Sequence, residues 1–405
     1  MEGGVPLGAG RARRAAAAVL LALAIAVAVA TLAGRGAETP GGRLGGDLPA
    51  FFGAGSIAAD GDWDALYDAD RQIEAQAALW EEEGSDLYVA YPPQVAAAYR
   101  LLVPLGYRLA YLVHTVFMAG ALLLAVSLAR PLFPLLRERT LVAFAFAVTF
   151  YPVLRAVLGG QNSALTLLLL VAVARLEHDG WPLAAGLTAA LLLYKPQFGV
   201  PLALLIGVGR RWRMLGGWLA GALALYLAGA AAMGAGWIGD WWEQAVRFRD
   251  ANVVANGSNF ISAPGVLEHL LGAGDPGAVV GGAVVTVLAM SLAALLWWRL
   301  PSEVALRHGA AAAAIVLVAP QALYYEAGVL LLPIAVLAAT TVRRGVRISG
   351  GWLSGGWLSG VWLFGLAQLT ASTLGVSPLA ILPLAVAAGI ARVASSNARG
   401  EVAPV

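Results

Sequence analysis

The polar side chains best suited to chemistry lie in short motifs between long apolar runs. They are Asp47 in GGDLPAFFGAG, Tyr91 in YPP, Gln161 and Asn162 in GGQN, Lys195 and Gln197 in YKPQ, Arg247 and Arg249 in WWEQAVRFR, and Tyr325 and Glu326 in YYE. A carboxylate can act as a general base, and a lysine or arginine can pair with a phosphate. The sequence has no cysteine and its four histidines are widely separated, so thiol chemistry and a paired-histidine zinc site are excluded. We expect no metal and no cofactor.

Asp47 comes shortly after the first apolar run and before an apolar segment containing Phe51 and Phe52. That segment is typical of a helix lying in the membrane interface. A carboxylate at this depth loses part of its hydration, which raises its pKa and makes it a usable base. The alternative is that Asp47 caps the next helix. The local sequence favours neither over the other.

Lys195 is the only lysine among 26 basic residues, and Pro196 breaks the helix beside it. An ionisable residue at membrane depth indicates function, and a phosphate is its natural partner. A lysine that extends to the interface is the alternative.

Two other motifs have similar alternatives: Asn162 and Glu326 either contact a ligand or cap the helices that they begin. Pro92 and Pro93 predict a rigid turn before a helix start.

The elements that position these residues follow from composition. The chain has 405 residues, of which 60% are hydrophobic and 12% charged, with a mean hydropathy of +0.76. The bilayer is therefore the solvent for most of the chain, and we predict an all-α polytopic membrane protein with about 11 to 12 transmembrane helices. The apolar runs are 15–34, 107–129, 139–156, 162–176, 181–194, 197–209, 214–233, 278–298, 304–321, 326–341, 351–369 and 378–394. The three runs between 162 and 209 are short, which indicates tilted, broken or re-entrant helices.

The arginines orient these runs, because cytoplasmic loops are enriched in basic residues. If successive runs cross the membrane in opposite directions, fourteen arginines fall on the same side of it. They are Arg11, Arg13, Arg14, Arg130, Arg137, Arg139, Arg210, Arg211, Arg213, Arg299, Arg307, Arg343, Arg344 and Arg347. This predicts cytoplasmic N- and C-termini in a bacterial plasma membrane. We expect one domain over 1–405: a retained first helix at 15–34, an external loop with interfacial helices at 35–106, a helical core at 107–233, a second external loop at 234–277, and C-terminal helices at 278–394. No cytoplasmic loop has room for a nucleotide-binding module, which argues against a nucleotide sugar as the direct substrate.

The ordered motifs resemble those of glycosyltransferase family 87, membrane enzymes of the GT-C superfamily that include polyprenyl-phosphomannose-dependent mannosyltransferases. The resemblance extends from about 45 to 340. It rests on Asp47 with FFGAG, ALYD at 65–68, YPP at 91–93, GGQNSALT at 159–166, YKPQFG at 194–199, WWEQAVRFR at 241–249 and YYE at 324–326.

The resemblance implies a GT-C-like helical bundle whose catalytic aspartate is Asp47. The donor would be a polyprenyl-phosphate hexose or pentose, with mannose favoured. The acceptor would be an envelope lipid or glycan on the non-cytoplasmic face. Asp47 would take the proton of its hydroxyl, which attacks the anomeric carbon of the donor sugar with inversion, and polyprenyl phosphate would leave. Lys195, with Arg247 or Arg249, would stabilise the leaving phosphate, and Gln161, Asn162 and Gln197 would hold sugar or phosphate oxygens. Tyr91, Tyr325 and Glu326 complete the implied donor-binding set. The mannosyltransferase branch tends to have histidines where this chain has Tyr325 and Glu326.

Two other classes of function compete with a transferase. A transporter or flippase for a lipid-linked sugar would also use broken helices. However, we see no inverted repeat, and the polar groups cluster at the outer face. A non-catalytic scaffold of an envelope assembly is the third interpretation. Replacing Asp47 by alanine tests a transferase against these two interpretations, because a transporter could survive the change and a scaffold should.

Overall fold

The computed structural model describes residues 7–32, 38–39, 42–77, 79, 87–137, 139–343 and 353–398. These residues are almost entirely helical. The one strand pairing among them is antiparallel and joins β1 (Glu38–Thr39) to β2 (Gly42–Arg43). The predicted all-α class is confirmed.

The first half of the chain contains ten α-helices in the described residues. They are α1 (Leu7–Leu32), α2 (Leu48–Asp60), α3 (Ala69–Ala77), α4 (Pro93–Arg100), α5 (Tyr107–Leu128), α6 (Thr140–Thr149), α7 (Tyr151–Leu158), α8 (Ser163–His178), α9 (Pro182–Leu191) and α10 (Pro196–Val208).

The second half continues in the same pattern. Its described helices are α11 (Trp212–Met233), α12 (Trp237–Asn256), α13 (Ala263–Leu271), α14 (Pro276–Arg299), α15 (Val304–Val318), α16 (Leu331–Arg343), α17 (Leu353–Leu366), α18 (Ala371–Leu374) and α19 (Ile381–Ala398). Two 3-10 helices, Leu192–Tyr194 and Tyr324–Leu330, contain or adjoin polar residues singled out in the sequence.

Five described helices are long and apolar enough to cross a membrane. They lie at Gly10–Leu32, Tyr107–Leu128, Trp212–Met233, Pro276–Arg299 and Pro378–Ser396. The protein is therefore polytopic, as expected. Helices α6 and α7 make a sixth candidate, bent by 78°. Pro152 lies at the start of α7, directly after the bend, where its missing N–H removes a helical hydrogen bond.

Other apolar runs form helices of 10 to 17 residues, including Pro182–Tyr194, Pro196–Val208 and Val304–Val318. The predicted break beside Lys195 is confirmed, because Lys195 separates the 3-10 turn Leu192–Tyr194 from α10. The predicted helix start at Pro93 is also confirmed. The total of about a dozen transmembrane helices, the domain bounds and the orientation stay predictions. Arg344 and Arg347 lie outside the described residues.

The chain divides into two compact units. Unit 1 comprises 1–89 and 95–165, and unit 2 comprises 90–94 and 166–405. In unit 1, α1 packs against α5 and α6, and α2 packs against α3 and α5. Helix α2 is buried along most of its length, including Phe51 and Phe52. It is the apolar helix expected after Asp47, but protein rather than the membrane interface covers these two rings.

The core of unit 2 is α15, which is buried from Ala305 to Val318 and packs against α10, α14, α16 and α19. Apart from Arg307 and His308 near its start, α15 is apolar on all sides, as expected of a helix in such a central position. Close contact between α9 and α11 relies on glycine: a Cβ on Gly186 would lie 1.9 Å from the Met214 carbonyl oxygen. Small residues at helix crossings allow backbones to approach in this way.

Candidate active site

Two glycine pairs, Gly45–Gly46 and Gly159–Gly160, contact each other beside Asp47 in unit 1. Gly45 and Gly46 have φ of +79° and +51°, and Gly160 has φ of +71°. A Cβ on Gly160 would lie 2.5 Å from the Gly45 carbonyl oxygen, and one on Gly46 would lie 3.0 Å from that of Gly159. The two backbones therefore touch, and only glycine permits both the left-handed conformation and the approach. The Asp47 N–H donates to the Gly159 carbonyl at 3.0 Å, which fixes Asp47 beside the GGQN segment.

Asp47 stands at the N-cap position of α2, but its side chain makes no capping hydrogen bond. Instead, the Gln161 Nε2 donates to Asp47 Oδ2. The alternative of a helix cap is therefore wrong for the side chain. Gln161 is buried, and its Oε1 has no hydrogen-bond partner in the described structure. Asp47 and Gln161, 114 residues apart, are thus brought together.

The environment of Asp47 alters its acidity. Burial raises the pKa of the Asp47 carboxyl above its usual value, and the Gln161 hydrogen bond and the charges of Arg43 and Arg155 offset only part of this effect. The residue nevertheless keeps a partly exposed edge. A carboxylate that is surrounded by protein, has a raised pKa and remains accessible has the properties of a general base.

Another pair of polar side chains in unit 1, Tyr99 and His114, contacts α2. The His114 Nδ1 is 3.0 Å from the Tyr99 hydroxyl, and the Tyr99 ring stacks on Phe51 of α2 at 5.0 Å between ring centroids. Both His114 and Tyr99 are buried. The sequence analysis considered His114 only as one of four widely separated histidines, because nothing local connects it to α2.

Lys195 and Glu326 form a buried ion pair in unit 2. The Lys195 Nζ donates to Glu326 Oε1, and the side chains are 3% and 6% exposed. Glu326 lies in the first turn of the 3-10 helix Tyr324–Leu330, whose N-cap residue is Leu323. Glu326 is therefore not a helix cap, and Lys195 is not a lysine that extends to the interface.

Aromatic rings surround the Lys195 ammonium. Its Nζ lies 5.9 Å from the centroid of each of the Tyr91, Tyr194 and Phe198 rings. Tyr91 and Tyr194 stack on each other with their centroids 6.4 Å apart. The Tyr194 hydroxyl is held by Thr166 at 2.5 Å. The structure therefore assembles Tyr91, Lys195 and Glu326, three of the residues singled out in the sequence, into one cluster.

The remaining expected ligands lie near these clusters in the chain. Asn162 is buried directly after Gln161. Gln197 lies in the first turn of α10 and is partly exposed. Tyr325 is partly exposed, and its ring meets that of Tyr324 with centroids 5.5 Å apart.

Arg247 and Arg249 lie on α12 and belong to different ion pairs. Arg247 is 3.6 Å from Glu243, and both side chains are more than half exposed. Arg249 donates to Glu268, whose side chain is 10% exposed. Arg247 is consequently the more accessible of the two cations for an external anion.

Residues 321–323, just before Tyr324 and Glu326, are hydrogen-bonded to the second predicted external loop. Ile261 N donates to the Ala322 carbonyl at 2.8 Å, and Phe260 pairs with Leu323 as an isolated β-bridge. Gln321 donates to the Arg249 carbonyl at 2.8 Å. These bonds hold the backbone just before Tyr324 and Glu326 in place.

A further polar cluster of unit 2 escaped the sequence analysis. Glu177, at the end of α8, lies 3.0 Å from Arg307, 2.7 Å from His308 and 3.2 Å from Arg211. Arg307 was counted among the arginines that flank the ninth run, but it lies inside α15 with no exposed surface. The Glu177 carboxylate pairs with the buried guanidinium and so compensates its charge. The sign of this in the sequence was that Arg307 lies within the apolar run 304–321.

The described structure is that of an integral membrane protein with a partly exposed carboxylate, Asp47, in unit 1 and buried carboxylates in unit 2. Asp47 has the accessibility and raised pKa of a base. The model for glycosyltransferase family 87 matches residues 88–320, which is more than half of the chain. The chain therefore belongs to glycosyltransferase family 87 and is a membrane glycosyltransferase, as the motifs predicted. No curated protein and no solved structure matches it.

The matched residues contain Tyr91, Gln161, Lys195 and the α12 arginines, but Asp47 precedes them and Glu326 follows them. The roles of Asp47 and Glu326 in this chain therefore rest on their own geometry.

Proposed function

We propose that the protein transfers a sugar, with mannose favoured, from a polyprenyl-phosphate donor to a hydroxyl of an envelope lipid or glycan on the non-cytoplasmic face of a bacterial plasma membrane. This proposal rests on the hydrogen bonding and the raised pKa of the Asp47 carboxyl. Asp47 is a carboxylate released from helix capping, held by the Gln161 amide and raised in pKa by burial.

The reaction consistent with this arrangement is a single displacement. One Asp47 oxygen accepts the proton of the acceptor hydroxyl while the hydroxyl oxygen attacks the anomeric carbon. The bond from that carbon to the phosphate oxygen breaks, and polyprenyl phosphate leaves with the bonding electron pair. Because attack occurs opposite the leaving group, the anomeric configuration inverts. Gln161 keeps the carboxylate oriented during the proton transfer.

The donor-binding residues that we propose are Lys195, Glu326, Tyr91, Tyr325 and Gln197. Arg247 and Arg249, as external cations, are our candidates for the leaving phosphate, whose charge grows as the bond breaks. Gln161 and Asn162, with buried amide groups, are proposed to contact sugar or phosphate oxygens.

The test is sugar transfer by purified protein from synthetic polyprenyl-phosphate mannose, arabinose and glucose. We compare wild type, Asp47→Asn and Asp64→Asn, where Asp64 is an exposed aspartate of the same segment. We expect Asp47→Asn to lose about 10² to 10⁴-fold in rate and Asp64→Asn to retain activity. NMR of the product should show the anomeric configuration opposite to that of the donor.

Equal rates in the two aspartate variants would remove Asp47 from the mechanism. A retained anomeric configuration would contradict direct displacement. Failure of folded wild-type protein to use any of the donors would overturn the proposed donor class and make lipid-linked sugar transport the next function to measure.

A further inference from the structure

Glu326 uses only half of its hydrogen-bonding capacity. Its Oε1 accepts from Lys195, whereas its Oε2 is buried and has no hydrogen-bond partner in the described structure. A buried carboxylate oxygen without a donor is costly, because it has lost water and gained nothing in exchange. Such an atom indicates a place that a ligand donor completes.

The charge of the Lys195–Glu326 pair limits what that ligand can be. The ammonium and the carboxylate neutralise each other, and the adjacent rings of Tyr91, Tyr194 and Phe198 add no charge. A phosphate would have to draw Lys195 away and leave Glu326 buried without its counter-ion, which is strongly unfavourable. A neutral polyol needs no such separation, because its hydroxyls donate to a carboxylate and accept from an ammonium.

We infer that the Lys195–Glu326 pair recognises hydroxyl groups of the donor sugar rather than the donor phosphate. Glu326 Oε2 accepts a hydrogen bond from one sugar hydroxyl, and a remaining N–H of Lys195 donates to a neighbouring sugar oxygen. The Tyr91 and Tyr194 rings offer apolar surface for the C–H face of the sugar. This inference rests on the proposed function, and it assigns Lys195 a role different from the phosphate contact that the family resemblance implied.

The backbone around the pair supports recognition by a preformed site. Lys195 lies at the junction of a 3-10 turn and α10, and its carbonyl accepts from Phe198 N at 2.8 Å. On the other side, Glu326 N donates to the Leu323 carbonyl at 2.8 Å, and Leu323 is paired with Phe260. Both side chains therefore extend from backbone that is already hydrogen-bonded, which lowers the entropic cost of binding a sugar.

The experiment measures binding of two lipids to purified protein, polyprenyl-phosphate mannose and sugar-free polyprenyl phosphate. The test variant is Lys195→Met/Glu326→Leu, which removes both charges and so leaves no lone buried ion. The control is Arg175→Gln/Asp179→Asn, which removes an ion pair of unit 2 between Arg175 in the last turn of α8 and Asp179 just after it. Thermal unfolding of each variant confirms that it is folded.

We expect wild type to bind the mannose lipid about 10 to 100-fold more tightly than the sugar-free lipid, as charged hydrogen bonds to hydroxyls allow. In the double variant this preference should vanish, while affinity for sugar-free polyprenyl phosphate stays unchanged. The control should behave as wild type. Loss of affinity for both lipids in the double variant would show that the pair binds phosphate, and an unchanged preference would show that it binds neither group; either result overturns the inference.

A second measurement does not depend on the variant folding. Mannose lipids that each lack one hydroxyl are bound to wild-type protein, and removal of the recognised hydroxyl should cost about tenfold or more in affinity. Equal affinity for all deoxy lipids would contradict the inference. If wild type bound neither the mannose lipid nor the sugar-free lipid, the proposed function itself would fail, which is distinct from a lost sugar preference.

Discussion

Glu326 and Glu177 are both buried carboxylates of unit 2, but their hydrogen bonding differs. Both oxygens of Glu177 have partners, with Arg307 and Arg211 near Oε1 and His308 near Oε2. Glu326 has one partner, Lys195, and one oxygen without any in the described structure. The carboxylate of Glu177, with both oxygens paired, holds helices together, whereas the unpaired oxygen of Glu326 is the position that we infer a ligand donor fills. Burial and charge alone would not have distinguished the two.

The largest effect should come from removing the charge of the Glu177 carboxylate. In Glu177→Gln, Arg307 remains fully buried without the carboxylate that it pairs with, so we expect the free energy of unfolding to fall by about 3 to 5 kcal/mol. Removal of the whole Lys195–Glu326 pair in Lys195→Met/Glu326→Leu should cost much less, because no charge is left unpaired. Thermal unfolding in detergent measures both. Equal losses would contradict the distinction between a completed and an open carboxylate.

The next effect concerns Asp47, a third carboxylate, whose position depends on contacts between glycines. In Gly160→Ala the new Cβ would lie 2.5 Å from the Gly45 carbonyl oxygen and from Leu48 Cβ. We expect a local cost of about 1 to 3 kcal/mol and a fall in transfer rate of at least tenfold. The control is Gly61→Ala, which has a similar φ of +84° but nothing within 4 Å of the added Cβ. If both variants lose the same activity, the contact between the glycine pairs does not position Asp47.

A smaller effect should appear in the pH profile. Since a base must be deprotonated and burial raises the pKa of Asp47, transfer should decline at a higher pH than an ordinary aspartate would produce. The Gln161 hydrogen bond opposes that rise. In Gln161→Met the pKa of Asp47 should therefore rise further, and the acidic limb of kcat/KM should move to higher pH. Gln197→Leu, which alters an amide of α10, should leave the limb in place, and a Gln161→Met limb that does not move would contradict the proposed bond.

The smallest effect on stability should come from Arg247→Ala. The Arg247–Glu243 pair is more than half exposed on both sides, so its loss should change the free energy of unfolding by less than about 1 kcal/mol. If Arg247 contacts the leaving phosphate, however, transfer should still weaken, with partial rescue in Arg247→Lys. Unfolding temperature and transfer rate, measured on the same samples, separate the two effects. Unchanged transfer would leave Arg249 as the remaining arginine candidate.

Parts of this structure were predictable because their causes are local. The helix start at Pro93 and the break beside Pro196 follow from the proline ring within one turn of chain. Asp47, Gln161, Lys195 and Glu326 were singled out because polar residues are scarce among the apolar runs. The glycine pairs at 45–46 and 159–160 were visible as well. Their mutual contact was not, since it joins segments more than a hundred residues apart.

The partner of each polar side chain could not be predicted from the local sequence either, because the partners are distant in the chain. Lys195 and Glu326 are 131 residues apart, as are Glu177 and His308. The arginine pattern counted Arg307 as flanking the ninth apolar run, although that run, 304–321, contains it. In the structure a carboxylate from another helix compensates its charge inside the protein. No periodicity in α15 could have indicated that partner.

Long apolar runs by themselves determined that this chain lies in a bilayer as helices, because the bilayer offers no water to backbone groups and a helix of this length satisfies them within its own segment. Composition also determined which few side chains were available for chemistry. Only the tertiary structure decided that the Asp47 side chain accepts a hydrogen bond from Gln161 instead of capping α2. It also decided that both carboxylate oxygens of Glu177 have partners, whereas one oxygen of Glu326 has none in the described structure. The physical reason is that helix formation depends on neighbours in sequence, whereas the satisfaction of a buried charge depends on whichever distant segment supplies its donor.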